Sequence, residues 1–306
     1  MVHLSVVIPV YNESSLIDEL VKRVKTNVQL ITEDFEMIIV DDGSQDETWK
    51  LIEAVAKSEV RIKGLKLSKN FGHHYAITAG LHNSNGEWVV VMDGDLQDRP
   101  EVIPDLYKKA KEGFEVVFVS RENRPESIFY LILQRVFYFL LNLLSGIKFD
   151  SSQANFSILS KNVVESFKNF SESARFYSST IQWLGFRKAS IKANHGVRFA
   201  GTPSYTIKSR IKLATDIILS FSERPLKFSI FIGLFFSLLS IIAVLVIIIY
   251  KTKYGFDVLG WPSLISSIFL IGGLQLMVLG VIGVYIGRVF QEVKRRPLFI
   301  IQERVN

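Results

Sequence analysis

Residues 89–100 read VVVMDGDLQDRP, a run of valines that closes on Asp93, Asp95 and Asp98 with Gln97 among them. A strand apolar on both faces belongs in a parallel sheet covered on both sides. Carboxylates packed this closely repel one another unless a cation sits between them or water screens them. Taken alone, the acids fit a solvated turn after a strand. The surrounding sequence supplies a different reason for them.

From the start of the chain to about residue 120, short apolar runs alternate with amphipathic stretches. Strands are expected at 4–10, 35–40, 62–67, 88–92 and 116–120. Leu16, Ile17, Leu20, Val21 and Val24 recur at helical spacing, as do Leu51, Ile52 and Val55. Ser44-Gln45-Asp46-Glu47 fits a capping box opening the second of these helices. Strands joined by helices imply a doubly wound α/β domain, whose ligands bind beyond the carboxyl ends of the strands. There stand Pro9-Val10-Tyr11-Asn12-Glu13, Asp41-Asp42-Gly43-Ser44 and Asp93-Gly94-Asp95. The glycine-rich phosphate cradles of dinucleotide and P-loop proteins are missing. An acid-rich crevice of this kind would neutralise a ligand's phosphates through a divalent cation held by carboxylate and amide oxygens.

The chain has 306 residues, 48% of them hydrophobic, and a mean hydropathy of +0.26. Much of that excess lies in residues 228–250 (FSIFIGLFFSLLSIIAVLVIIIY) and 264–287 (LISSIFLIGGLQLMVLGVIGVYIG), neither of which carries a charge. At ~1.5 Å per residue each is long enough to cross ~30 Å of hydrocarbon. Arg210, Lys212, Arg224 and Lys227 precede the first span, and Arg288, Lys294, Arg295 and Arg296 follow the second. The connecting loop has only Lys251 and Lys253, partly offset by Asp257, so both termini are expected in the cytoplasm. The first residues, MVHLSVVIPV, do not read as a signal peptide. Residues 206–221 form an amphipathic, basic surface helix in this reading. Residues 128–147 are apolar but interrupted by Gln134, Arg135 and Asn142, which favours an interfacial or packed helix over a third span. With no cysteine, disulfide and thiolate chemistry are excluded. A formal charge of +6 fits a basic juxtamembrane region facing anionic lipid better than a nucleic-acid partner.

SVVIPVYNE (5–13), IIVDDGSQDET (38–48), SKNFG (68–72) with AGL (79–81), MDGDLQDRPEVIP (92–104) and RFAGTPSY (198–205) resemble family 2 glycosyltransferases of the GT-A fold. Within that family the chain is similar to polyprenyl-phosphate glycosyltransferases, both dolichyl-phosphate mannose synthases and bacterial bactoprenol glucosyltransferases. GWPSLISSIFLIGGLQ, GVIGVYIGR and KRRP extend the resemblance through the C-terminal part. It implies a Rossmann-like, mostly parallel catalytic domain over 1–205, a juxtamembrane helix over 206–227, a two-helix membrane hairpin over 228–287 and a basic tail over 288–306. It further implies a multi-pass protein of the bacterial inner membrane with its catalytic domain and termini cytoplasmic, and a homo-oligomer, a tetramer.

The implied reaction is metal-dependent, inverting transfer of one sugar from a nucleotide sugar, UDP-glucose, to undecaprenyl or another polyprenyl phosphate, for cell-surface glycan modification. Pro9, Tyr11, Glu13, Val40 and Asp42 would line the nucleotide pocket, with Asp42 accepting from the base. Asp93, Gly94, Asp95 and Gln97 would meet the diphosphate, with Asp93, Asp95 and Gln97 holding Mg²⁺ or Mn²⁺. Arg121 and Arg198 would meet phosphates of donor or acceptor. Where bactoprenol enzymes usually read G-D-F-R, this chain reads Ala154-Asn155-Phe156-Ser157, and Ser204 stands where lysine is usual. The expected base is therefore an amide, Asn155, with Asp150 as a fallback. These departures leave GDP-mannose, UDP-N-acetylhexosamine or a modified pentose as other donors, and a nucleotide-sugar-binding membrane protein of weak activity as another class. A processive polysaccharide synthase would carry Q-x-x-R-W and more spans. His73 and His74 are adjacent and cannot form an i, i+4 metal pair. His73 follows the Asn-Phe-Gly turn and is expected near the diphosphate, whereas His3, His82 and His195 read as structural or solvated.

Overall fold

The computed structural model describes residues 2–121, 153–170, 172, 176–193, 224–254 and 260–306. Its sheet is built from β1 (Leu4–Val10), β2 (Phe35–Asp41), β3 (Ile62–Leu67), β4 (Trp88–Val91), β5 (Val116–Arg121), β6 (Gln153–Ser160), β7 (Lys188–Ala193) and β8 (Ile301–Val305). The spatial order is β7-β5-β6-β4-β1-β2-β3-β8. The central strands β4, β1, β2 and β3 are mutually parallel, as the apolar runs predict. Two strands break the parallel pattern: β6 runs antiparallel to both β4 and β5, and β8 runs antiparallel to β3. The sheet is thus mixed, though mostly parallel.

Helices cover both faces. Leu4, Val6 and Ile8 of β1 pack with α1 (Ile17–Gln29), α2 (Thr48–Ser58) and α4 (Ile103–Lys111) through Ile17, Leu20, Val24, Ile52, Ile103 and Leu106. Val7 points the other way, with Ile38 and Val40, toward α3 (His73–Asn83), α5 (Lys161–Lys168) and α6 (Tyr177–Trp183). This alternation along one strand is the period of two that gives a sheet two buried faces. Asp18 and Glu19 in the first turn of α1, and Lys108, Lys109 and Lys111 in the last turn of α4, complement the helix dipoles.

The capping box expected at 44–47 does not form. Ser44 Oγ accepts instead from the Asn12 N–H at 2.9 Å. Asp46 takes its place at the start of α2, accepting from the Thr48 N–H at 3.1 Å and the Ser14 N–H at 3.3 Å. Helix α2 starts at Thr48, three residues later than a box at 44–47 needs, so Ser44 belongs to the loop.

Residues at the C-terminus add an edge strand to which the sequence alone assigned no element. Glu303 on β8 accepts from Trp49 Nε1 at 3.0 Å and from Lys66 Nζ at 2.7 Å. Asn306 Nδ2 donates to the carbonyls of Ala56 and Ile62 at 2.6 and 2.9 Å.

The chain divides into two compact units. The first holds the sheet and its helices and includes Arg296–Asn306. The second contains α7 (Arg224–Tyr254) and α8 (Trp261–Val293), of 31 and 33 residues. Among the described residues one stretch, Ser267–Val293 of α8, is long and apolar enough to cross a membrane. Both helices carry exposed large apolar side chains, including Phe228, Phe235 and Leu245 on α7 and Leu270, Leu276 and Leu279 on α8. The segments 128–147, expected as an interfacial or packed helix, and 206–221, expected as a surface helix, lie wholly outside the described residues.

Gly80 sets how closely α3 approaches β1: a Cβ there would lie 2.2 Å from Val7 Cγ1. A Gly80→Ala substitution gains about 1 kcal/mol of helix propensity, and the overpacking it forces costs about 1–3 kcal/mol. We expect a net loss, read as a lower Tm and a less steep melting curve for the full chain in detergent.

Candidate active site

The crevice lies beyond the carboxyl ends of β1, β2 and β4, and main-chain N–H groups build it around acids. At the end of β2, Asp42 is buried, and its two oxygens accept from the N–H groups of Phe71 and Gly72 at 2.8 and 2.9 Å. Beside it the buried Asp41 accepts from the Ser44 N–H at 2.9 Å. Burial pushes both carboxyls above their ordinary value, against the pull of these donors. Each carboxylate oxygen has two lone pairs, so Asp42 retains acceptor capacity for a ligand while it clamps the turn ahead of α3.

The loop after β1 is fixed in the same manner. Asn12 adopts φ of 55°, unusual for a side-chain-bearing residue, and is locked by two bonds. Its N–H meets Ser44, and its Oδ1 accepts from the Gln45 N–H at 2.9 Å. The Glu13 N–H donates to Thr48 Oγ1 at 2.9 Å. Tyr11 stands 41% exposed at the mouth, whereas Val40, expected to line the nucleotide pocket, is fully buried in β2 and its side chain packs in the core.

After β4, the Asp93 N–H donates to Asp98 Oδ2 at 3.2 Å and the Gln97 N–H to Asp95 Oδ1 at 3.1 Å. Leu96 is buried at φ of 58°, a second left-handed residue at the crevice. Gly94 lies against the β1 loop: a Cβ there would sit 2.5 Å from Glu13 Oε2 and 2.6 Å from Val10 Cγ1. Glu13 therefore stands over the Asp93-Gly94-Asp95 turn.

Across from that turn runs β6. Val91 faces Ser157 as the last pair of the antiparallel register, and Asp93 and Asn155 lie two residues beyond it on their own chains. His73, the first residue of α3, stands at both: its Nε2 is 3.1 Å from Asp93 Oδ1 and 3.2 Å from Asn155 Nδ2. Asn155 is also held by Ser178 of α6, whose Oγ lies 2.8 Å from the Asn155 amide. Burial disfavours the charged imidazole of His73, but the carboxylates of Asp93, Asp42 and Glu13 outweigh it and raise its pKa. Behind it, His74 is pushed down to about 4, first by burial and then by His73.

The structure thus brings Pro9, Tyr11, Glu13, Asp42, Asp93, Gly94, Asp95, Gln97 and Asn155 to one edge of the sheet. Arg121 ends β5. Asp150, Arg198, His195 and Ser204 lie outside the described residues. His3 and His82 take structural places: His3 Nε2 is 2.8 Å from the Tyr107 hydroxyl, and His82 stands edge-on to Phe299. Sequence reasoning missed Ser178 and Tyr177. The Tyr177 hydroxyl is 2.7 Å from Ser157 Oγ in a sealed pocket, with burial raising its pKa. Nothing local in YSSTIQW marks them, because their partners arrive from β6.

Among the described residues no three His, Asp or Glu side chains converge as a self-sufficient metal cage. The donor set nevertheless fits a hard divalent cation. Mg²⁺ in particular is commonly bound by one or two carboxylates, with the remaining ligands supplied by water and substrate phosphates. Asp93 and Asp95, separated by a glycine that cannot be enlarged, offer that arrangement.

Residues 5–168 match the family model described as Glycosyl transferase family 2. The chain is 35% identical over 300 residues to the uncharacterized glycosyltransferase YkcC of Bacillus subtilis, covering 98% of this chain and 93% of that one. It is 35% identical over 301 residues to the bactoprenol glucosyl transferase of Shigella phage SfII, covering 98% and 97%. Its fold is similar to glucosyl-3-phosphoglycerate synthase from Mycobacterium tuberculosis, solved with Mn²⁺, uridine diphosphate and phosphoglyceric acid. The TM-score is 0.51 at 20% identity, covering 71% of this chain and 76% of that one.

Two outcomes test this geometry. Gly94→Ala must displace either the Glu13 carboxylate or the Asp93–Asp95 turn, so we expect the melting temperature to fall and donor-nucleotide binding to weaken in the same variant. His74 binds fewer protons in the folded chain than in the unfolded one between its ordinary pKa of 6.5 and about 4. Its contribution to stability is therefore complete above that window and lost as pH falls through it. Tm measured against pH should show a shallower acid limb for His74→Phe than for the wild type.

Proposed function

Because the chain belongs to glycosyl transferase family 2, we propose that it moves one sugar from UDP-glucose to a polyprenyl phosphate, with inversion at the anomeric carbon. The observation that carries this reading is the Asp93-Gly94-Asp95 turn with Asn155 beside it, Asp93 and Asn155 standing 3.1 and 3.2 Å from the same His73 Nε2. Similarity along nearly the whole chain to bactoprenol glucosyl transferases supports the lipid acceptor and the glucosyl donor.

Asp93, Asp95 and Gln97 would hold Mg²⁺ or Mn²⁺, which supplies Lewis-acid stabilisation of the departing nucleoside diphosphate. Pro9, Tyr11, Glu13 and Asp42 line the side of the crevice where the nucleotide lies, with Arg121 and Arg198 as partners for phosphate oxygens. The acceptor oxygen approaches the anomeric carbon from the face opposite the leaving group, so an α-linked donor gives a β-linked product.

Asn155 in place of a carboxylate is compatible with this chemistry. A phosphate monoester has a second pKa of about 6, so near neutral pH the acceptor is largely ionised. A nucleophile that arrives without its proton needs no base to remove one. An amide donates a hydrogen bond to the acceptor phosphate and adds none of the repulsion a carboxylate would.

The acceptor's tail stays in the bilayer, so the catalytic unit must work at the interface. In this proposal α7 and α8 are the two spans, the loop at 255–259 is outside, and the flanking Arg and Lys residues hold both ends on the cytoplasmic side.

Transfer of radiolabelled glucose from UDP-glucose to undecaprenyl phosphate tests the reading. Asp95→Ala should fall to background in membranes where the protein inserts normally, and retained turnover there would remove the metal argument. At Asn155, Ala should lower kcat by about tenfold to a hundredfold, and Asp should cost less. Equal rates for Asn, Asp and Ala would show that this side chain does not orient the acceptor.

A further inference from the structure

Three successive main-chain N–H groups of the loop after β1 are satisfied from one short segment. Asn12 donates to Ser44 Oγ at 2.9 Å, Glu13 to Thr48 Oγ1 at 2.9 Å and Ser14 to Asp46 Oδ2 at 3.3 Å. The Gln45 N–H returns a bond to Asn12 Oδ1 at 2.9 Å. These acceptors lead into α2, of which Thr48 is the first residue. A donor in a loop stays where its acceptor stands, so this loop follows the start of α2. A shift is felt at once in the crevice, because a Cβ on Gly94 would lie only 2.5 Å from Glu13 Oε2.

The position of α2 is fixed in turn by β8. The helix presents Trp49, Ile52 and Ala56 to the sheet, all of them buried. Trp49 Cη2 and Ile52 Cγ2 close on β3 at Gly64, where a Cβ would stand 3.3 and 2.9 Å from them. Apolar packing of this kind is non-directional and resists separation more than sliding. Hydrogen bonds of set length and angle also fix the place along the strand, and β8 supplies one at each end of α2. In the first turn, Trp49 Nε1 donates to Glu303 Oε2 at 3.0 Å. In the last, the Ala56 carbonyl accepts from Asn306 Nδ2 at 2.6 Å. The other oxygen of Glu303 accepts from Lys66 Nζ at 2.7 Å, and that ammonium stands 5.6 Å from the centre of the Trp49 ring. Glu303 therefore ties α2 to β3 with one oxygen for each.

We infer that Glu303 and Trp49 are positioning residues of the crevice: β8 sets where α2 begins, and the start of α2 sets where Asn12, Glu13 and Ser14 stand. Closing the free edge of β3 would need only the main-chain pairing of β8. The side-chain bonds to α2 go beyond that task, and they lead to the loop that carries Tyr11 and Glu13.

The effect on the donor rests on the proposed transfer from a nucleotide sugar, whereas the coupling of β8 to the loop does not, and two measurements separate them. Hydrogen–deuterium exchange of the full chain in detergent, without ligand, reads the coupling. Glu303→Ala should speed exchange at residues 12–14 by about threefold to tenfold, with the amides of α5 unchanged. Glu303→Gln, whose side-chain oxygen still accepts from Trp49, should restore most of the protection. An unchanged loop, an equal rise in α5, or Gln as damaging as Ala would overturn the coupling. Should the alanine variant fail to fold, Trp49→Phe removes only the indole donor and should give the same loop-confined rise; its absence would overturn the coupling equally. Binding of UDP-glucose with Mn²⁺, measured by calorimetry at a temperature where each variant is folded, should weaken about threefold to tenfold in Glu303→Ala and recover in Glu303→Gln. Unchanged affinity beside faster loop exchange would remove both residues from the working of the site. If wild type bound no UDP-glucose while exchange followed the expected pattern, the donor reading would fall and the coupling would stand.

Discussion

The crevice depends on carboxylates satisfied by main-chain N–H groups. Asp41 holds the Ser44 N–H, Asp42 those of Phe71 and Gly72, Asp46 those of Ser14 and Thr48, Asp95 that of Gln97, and Asp98 that of Asp93. Hydrogen bonds to an ionised acceptor are about twice as strong as neutral ones, which offsets part of the cost of gathering anions at the edge of a buried sheet. The compensation is incomplete, since Asp41 and Asp42 still titrate above their ordinary value. The result is a crevice whose loops are tied together by hydrogen bonds to a cluster of acids. In the proposed function, a cation would meet oxygens of which several are already held by main-chain N–H groups.

That same arrangement explains which parts of the fold were legible in the sequence. β1 and β3 have the bounds the apolar runs predict, because runs such as LSVVIPV leave no other way to bury both faces. β2 runs one residue further, to Asp41, whose buried Oδ1 accepts from the Ser44 N–H, a polar end that an apolar run does not mark. β6 was not foreseen. Its sequence QANFSILS places Asn155 and Ser157 toward the site and toward Tyr177, so polar residues stand where a buried strand would show apolar ones. β8 was invisible for a related reason. IQERV is short and charged, and it becomes a strand only because β3 offers an edge and Trp49 and Lys66 offer partners for Glu303.

The candidate site was legible as a set of acids and illegible as a geometry. Motif spacing brings Asp42, Asp93 and Asp95 to the strand ends, because β1, β2 and β4 are neighbours in a parallel sheet. Nothing in SKNFGHH says that His73 will meet Asn155, which lies 82 residues on. That contact needs the antiparallel register of β6 against β4, and the register is set by packing over the whole strand. The capping box failed on the same account. Ser44 and Glu47 have the right spacing, but α2 starts only at Thr48, and Ser44 is tied to Asn12, 32 residues earlier.

The C-terminal strand also constrains any membrane arrangement. β7 ends at Ala193 and β8 begins at Ile301, and both belong to one continuous sheet. A chain that leaves a folded sheet and returns to it crosses an intervening bilayer an even number of times or not at all. If Ser267–Val293 crosses, as in the proposed arrangement, the return to the sheet would call for a second crossing within 194–300. Among the described residues there, α7 is the other long helix; at ~1.5 Å per residue its 31 residues exceed the ~30 Å of a hydrocarbon core. The pairing of β8 with β3 thus adds to the proposal a constraint that hydropathy lacks, since hydropathy counts helices and a strand that returns to the sheet sets whether their number is even.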